Sequence, residues 1–331
     1  ASDPVYFMRK YCTIQHPTKG KVKFDLYPFQ EKCLTTFKDN RYNIILKARQ
    51  LGISTLSAGY SLWMMLFHND KNILVIATGK ETAKNLVTKV RVMYEGLPQW
   101  LKTNTEEINK LSIRFANGSQ IKAIASNESA GRSEALSLLI IDEAAFIDRI
   151  DTIWTAAQQT LSTGGGCIAL STPNGVGNWF HKQWLGAEDG TNNFNTIRLH
   201  WTDHPDRDQV WRDEQDKVLG PTQAAQECDT DFLSSGQSVV DPAILQWYKD
   251  EMIEAPIEEV GIDRGMWVWR QPDYTKEYIV VADVARGDGS DFSACQVFEV
   301  EDMEQCAEYK GQLSTTDYGN FLIEVATKYN D

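Results

Sequence analysis

Between an apolar run and a helical pattern, Leu46-Lys-Ala-Arg-Gln-Leu-Gly-Ile-Ser-Thr55 gathers two cations, a glycine and two hydroxyls. Residue types in that order suit a polyphosphate. Backbone amides at a helix start attract the phosphates, a lysine screens them, and a hydroxyl ligates Mg2+. Against the usual spacing, GxxxxGK[ST], Gly52 and Ser54 fall in register, whereas Lys47 stands at the first glycine and Ile53 in the lysine slot. An ammonium entering from the front of the loop can still reach the β- and γ-phosphates, because it acts there as a compact point charge. Gln50, Leu51, Gly52, Ile53, Ser54 and Thr55 are then expected to line a nucleotide, and Arg49 is a candidate stabiliser of transition-state charge. Taken alone, the segment also fits an ordinary strand–loop–helix connection.

A second constellation lies about 90 residues downstream, in Leu138-Leu-Ile-Ile-Asp-Glu-Ala-Ala-Phe146. An apolar strand ending in two adjacent carboxylates is what the other half of an ATP site requires. Asp142 would hold Mg2+ through water, and Glu143 would polarise the attacking water. Upstream, Tyr27-Pro-Phe-Gln30 offers a glutamine whose amide donor and acceptor could read an adenine edge. Downstream, Ser171-Thr-Pro-Asn-Gly175 puts the hydroxyls of Ser171 and Thr172 at the end of another strand. Each of these pieces also has an ordinary reading, as a surface glutamine after a turn or as a Pro-Asn-Gly turn. Together they specify cofactors: ATP and Mg2+.

Such residues need a scaffold that presents several strand ends side by side. Ile44–Leu46, Asn72–Ala77, Leu138–Ile141 and Cys167–Ser171 read as buried strands. Helices are expected over Thr55–His68 and from about Lys80 to Tyr94, and Asn117-Gly118 predicts a hairpin joining Ser112–Phe115 to the strand from Gln120. Strands interleaved with helices predict an α/β fold, a P-loop NTPase with a mainly parallel, doubly wound sheet whose ligand site lies at the strand carboxyl ends. Four segments follow: an entry segment over 1–40, the ATPase core over 41–200, a lid or linker over 201–270, and a fresh β pattern over 271–331.

Composition limits the alternatives. At 331 residues and 42% hydrophobic the chain supports about two packed domains, and no apolar run is long enough for a membrane span. Six cysteines without a CxxC pair read as reduced, intracellular thiols. The net charge of −13 conceals an asymmetry: residues 1–135 hold 20 Lys and Arg against 11 Asp and Glu, while the remainder is strongly acidic. A basic first part permits a polyanionic partner without specifying one. His200 and His204 have metal-ligand spacing, but Trp201, Asp203 and Pro205 make the stretch loop-like, and ten tryptophans fit core packing better than base stacking.

The four stations, in this order, resemble the large subunit of the tailed-phage terminase, a DNA-packaging motor. Tyr27–Gln30 is similar to that family's adenine motif, Lys47–Ser54 to its phosphate loop with the lysine at the front, Ile141–Phe146 to its carboxylate motif, and Ser171–Gly175 to its coupling motif. Gly131-Arg-Ser133 resembles a stretch whose arginine, here Arg132, would face a neighbouring subunit. Tyr278–Ser293 resembles the opening hairpin of the family's RNase-H-like nuclease domain, with Asp283 as a metal ligand, Asp291 as a second candidate and Asp288-Gly289 as the turn. The further acidic ligands would lie beyond residue 331, so no cleavage is expected of this polypeptide alone. The resemblance implies ATP-driven translocation of double-stranded DNA into a procapsid in the host cytoplasm. It also implies a portal protein, a small terminase subunit and a ring, expected to be pentameric, as partners. A helicase shares the loop and the Asp-Glu chemistry, and a nucleotide-dependent clamp without turnover would explain Ile53; both stay open at the level of sequence.

Overall fold

From the N-terminus, α1 (Pro4–Tyr11), the antiparallel pair β1 (Thr13–His16) and β2 (Gly20–Lys23), and α2 (Pro28–Asp39) precede the first central strand, β3 (Tyr42–Lys47). Then come α3 (Ile53–Phe67), β4 (Asn72–Ala77), α4 (Lys80–Gly96), β5 (Thr105–Ile108), β6 (Ser112–Phe115) and β7 (Gln120–Ala125). The pattern continues with β8 (Leu138–Asp142), α5 (Ile150–Leu161), β9 (Gly166–Ser171), α6 (Trp179–Glu188), β10 (Asn195–Leu199), α7 (Gln209–Leu219) and α8 (Pro221–Cys228). The structure is a computed structural model and describes residues 3–16, 18–125, 135–232, 244, 247–261, 265–286 and 291–329.

Eight strands form one sheet in the order β10-β3-β9-β8-β4-β7-β6-β5, parallel from β10 to β7 and antiparallel beyond. The apolar runs are continuous because both faces are covered. Ile45, Ile73, Val75, Leu138, Ile140, Ile168 and Leu170 enter one core with α1–α4. Their neighbours Ile44, Leu46, Leu74, Ile76, Leu139, Ile141 and Ala169 enter a second core with α5 and α6. The expected doubly wound α/β sheet is therefore present, as is the hairpin at Asn117-Gly118, where Gly118 has φ +82°. A Cβ at Gly118 would collide with Asp70.

Some elements depart from the sequence expectation. Helix α3 starts at Ile53, two residues early, because Gly52 takes φ +76° and caps it. Strands β1, β2, β5 and β10 carry too few apolar residues for their period to show; β10 buries little beyond Leu199 and sits at the sheet edge beside β3. The chain divides into two units at residues 245 and 246. The second holds an antiparallel sheet, β11 (Glu258–Val260), β12 (Met266–Val268), β13 (Tyr278–Asp283), β14 (Ser293–Glu299) and β15 (Gln305–Gly311), in the order β11-β12-β15-β14-β13, followed by α9 (Thr315–Lys328). Because β12 pairs with β15, the end of the stretch read as a linker belongs to this sheet.

Candidate nucleotide site

Parallel strands end together, and here β3, β8 and β9 are neighbours, so their next residues share one edge. Lys47 closes β3 and is 5% exposed. Its Nζ lies 3.1 Å from Oε1 of Glu143. Asp142 closes β8, also 5% exposed, and accepts a 3.2 Å hydrogen bond from the Ser54 hydroxyl in the first turn of α3. Glu143 takes φ +55°, a conformation non-glycine residues rarely adopt, at the start of a tight 3-10 turn, Ala144–Phe146. Its Oε2 stands 3.5 Å from both the Ser171 hydroxyl and the Thr172 amide at the end of β9. Ser171 also accepts from the Ala145 amide at 3.2 Å, so one hydroxyl ties the two strand ends together.

The loop from Ala48 to Gly52 is held from outside. Ala48 N donates to the Leu199 carbonyl at 2.8 Å and Arg49 N to the Glu227 carbonyl at 2.7 Å. Arg207 donates to the carbonyls of Arg49 (3.0 Å) and Gln50 (3.3 Å). The first hydrogen bond of α3 runs from Leu56 N to the Gly52 carbonyl, which leaves the amides of Ile53, Ser54 and Thr55 without a partner inside the helix. Those amides, the positive end of the helix dipole and the Lys47 ammonium are groups that can hold an anion. The Ser54 hydroxyl and the buried Asp142 carboxylate are hard oxygen donors on the same edge. With phosphate oxygens and water they fit a Mg2+ ion, which takes few protein ligands.

Burial raises the pKa of Asp142 above the ordinary carboxylate value, and the neighbouring Glu143 adds to the rise; Lys47, Ser54 and Lys89 oppose it. Lys89, half-buried on α4, is not singled out by the sequence, since it stands in the middle of a helix with no motif around it. Arg207 and Glu227 escape notice for a similar reason: they come from the polar stretch after β10, over 150 residues from the loop they steady, and Gln226 of the same stretch reaches the Pro173 carbonyl.

A model of the family "Terminase large subunit, T4likevirus-type, N-terminal" matches residues 44–241, more than half of the chain and every strand end of the site. The chain belongs to this terminase family. Among curated proteins it is similar to the "Probable terminase, large subunit gp28" of Escherichia phage Mu, 24% identical over 200 residues, covering 50% of this chain and 36% of that protein. The matched region thus spans about a third of the Mu protein. Among solved structures, the large terminase ATPase domain of Thermus phage P74-26 shares the fold, with TM-score 0.54, 21% identity, 63% of this chain and 94% of that one covered. So does the large terminase of another thermophilic bacteriophage in complex with ADP, with TM-score 0.50, 14% identity, and 91% and 74% covered.

Within this terminase chain, the residues singled out by sequence fare differently. Lys47, Ser54, Asp142, Glu143, Ser171 and Thr172 come together at one sheet edge. Gln50 (φ +60°), Leu51, Gly52, Ile53 and Thr55 build the loop and helix start beside them, although Leu51 and Ile53 bury their side chains in the core. Gln30, 3% exposed, has its amide committed: it accepts from Tyr27 N at 3.1 Å and donates to the Leu51 carbonyl at 2.9 Å. It therefore braces the loop at Leu51 in this structure. Arg49 is exposed and paired with Glu227 at 3.0 Å. Arg132, like Asp288-Gly289, lies outside the described residues. Asp283 ends β13 exposed, and Asp291 accepts from Phe292 N at 2.9 Å. Among the described residues, no group of three or more His, Cys, Asp or Glu is placed to hold a metal ion. His200 and His204 serve instead as local acceptors for Thr202 N and Asp206 N, and Trp179, Trp184 and Trp201 are buried in the cores.

Proposed function

We propose that this chain is the ATP-hydrolysing part of a motor that translocates double-stranded DNA into a procapsid. The convergence of a lysine, a hydroxyl and two carboxylates on one edge of a parallel sheet, in a terminase chain, supports this reading. Lys47 would hold the phosphates together with the amides of the α3 start. Ser54 and Asp142 would hold Mg2+, which when bound neutralises developing charge on the phosphates. Glu143 would orient and polarise the attacking water. In the structure Glu143 is paired with Lys47, so nucleotide entry requires Lys47 to exchange that carboxylate for phosphate. Arg49 would act on the same phosphates after leaving Glu227, and Arg132 is proposed as a cation supplied to a neighbouring copy.

The path from nucleotide to DNA would run through Ser171 and Thr172, which touch Glu143, and on to α8, whose Gln226 side chain reaches the Pro173 carbonyl and the Asn174 side chain at 3.4 Å each. The partners proposed are duplex DNA, a portal protein, a small terminase subunit and further copies of the chain in a pentameric ring, in the host cytoplasm at the procapsid. Asp283 is proposed as one metal ligand of a nuclease centre.

The test is ATP hydrolysis with and without linear duplex, run beside Glu143→Gln. Turnover stimulated by duplex and lowered at least ~100-fold by the substitution, with ATP binding retained, is the expected result. Turnover unchanged in Glu143→Gln would overturn the assignment, and strand separation on a tailed duplex would point to a helicase instead.

A further inference from the structure

Along β8, residues 138, 140 and 142 share a face, and Leu138 and Ile140 enter the core that includes Leu86, Val87, Val90 and Met93 of α4. The Asp142 carboxylate is therefore on the α4 side of the sheet. Lys89 lies three residues after Leu86 and four before Met93, on the stripe that α4 turns to this core. Helix α4 begins just beyond Ala77, the residue of β4 that pairs with Asp142. Side chains of a helix lean toward its N-terminus, so Lys89 leans toward the end of the sheet where Asp142 sits. The charged groups it senses are Asp142 and Lys47, and burial lowers its pKa against the pull of Asp142. Among the described residues, it makes no ion pair or hydrogen bond of its own. Lys89 thus stands on the same side of the sheet as the Asp142 carboxylate, a lysine that phosphate-loop chemistry leaves unexplained.

We propose that Lys89 is a positioning residue that makes Asp142 refuse a divalent cation until nucleotide arrives. A bare divalent ion at Asp142 and Ser54 meets the ammonium in a poorly solvated space, where like charges repel strongly. A triphosphate brings enough negative charge to outweigh that repulsion, so metal and nucleotide enter together. This inference rests on the nucleotide-site reading of Asp142.

Direct Mn2+ binding, followed by electron paramagnetic resonance of the free ion, tests it without turnover. Lys89→Met should bind Mn2+ in the absence of nucleotide at least ~10-fold more tightly than the unaltered protein, and Lys89→Arg should behave like the unaltered protein. Equal Mn2+ affinity in Lys89→Met and the unaltered protein would overturn the proposal. So would the same gain in Lys89→Arg, which would show loosened packing. The double variant Lys89→Met/Asp142→Asn separates the two readings. Loss of the gained Mn2+ site there places the ion at Asp142. A gain that persists shows that the ion binds elsewhere, and both the proposal and the Asp142 assignment fall.

Discussion

At Asp142 function and stability oppose one another. Because its pKa is raised in the fold, the native state holds the carboxyl proton more tightly than the unfolded chain does. Its contribution to stability is complete below the ordinary carboxylate range and is lost as pH rises through the raised value. Above that raised value the ionised group is a liability that the unliganded protein tolerates. Asp142→Asn should raise the melting temperature by roughly 2–4 °C, about 1 kcal/mol for a domain of this size, while abolishing Mg2+-dependent turnover. Thermal unfolding at pH 7 and at pH 4 checks this, since the difference must shrink at the lower pH. Gly52 offers a second residue-scale test. Its φ is +76°, and a Cβ there would stand 2.8 Å from the Gln30 amide nitrogen. Gly52→Ala should therefore cost about 1–2 kcal/mol by chemical denaturation and weaken ATP binding, because strain and the lost Gln30 brace both fall on the loop.

Among elements, α8 and the segment just before α7 carry contacts that steady the loop from outside, through Glu227 and Arg207, and one buried cation joins α7 to the end of α8. Arg212 on α7 donates to both carboxylate oxygens of Asp229 (2.8 and 2.7 Å) just past α8, and to Asp216 at 2.5 Å. The bond to Asp229 is the chief reason the guanidinium is held so firmly charged. Arg212→Ala leaves Asp229 unpaired and should destabilise this helix pair by about 2–3 kcal/mol. Hydrogen exchange should then rise in α7 and α8 and in the loop at Arg49–Gly52, which α8 and Arg207 hold, with β8 and β9 unchanged. Faster exchange across the whole sheet would mean that α7 and α8 belong to the core. In sequence the charged run Asp203–Asp216 reads most simply as a solvated helix, which says nothing of Arg212, 8% exposed.

For the whole molecule, the net charge of −13 predicts poor association with DNA, whereas the basic first part predicts the opposite. The pair β1–β2 carries exposed Lys19, Lys21 and Lys23. If phosphate contacts of such a face govern duplex binding, affinity should fall by ~100-fold or more between 50 and 200 mM salt. Replacing those three lysines with glutamate should flatten that dependence and leave ATP affinity unchanged, as measured by fluorescence anisotropy on a labelled duplex.

The sequence by itself determined the buried central strands β3, β4, β8 and β9, the order of the chemical stations and the α/β class, because buried parallel strands must be apolar throughout and phosphate chemistry restricts residue types at the strand ends. Lys47, Ser54, Asp142, Glu143 and Ser171 were legible for that reason. The tertiary structure decided what each partner currently holds. Only there does Glu143 meet Lys47, does Gln30 face inward to Leu51, and do Arg207 and Glu227 approach the loop. Those contacts cross long stretches of chain and depend on strand order and helix direction. Local patterning does not encode them, since a lysine in a helix or a glutamate on a surface turn looks the same whether or not a folded neighbour waits opposite.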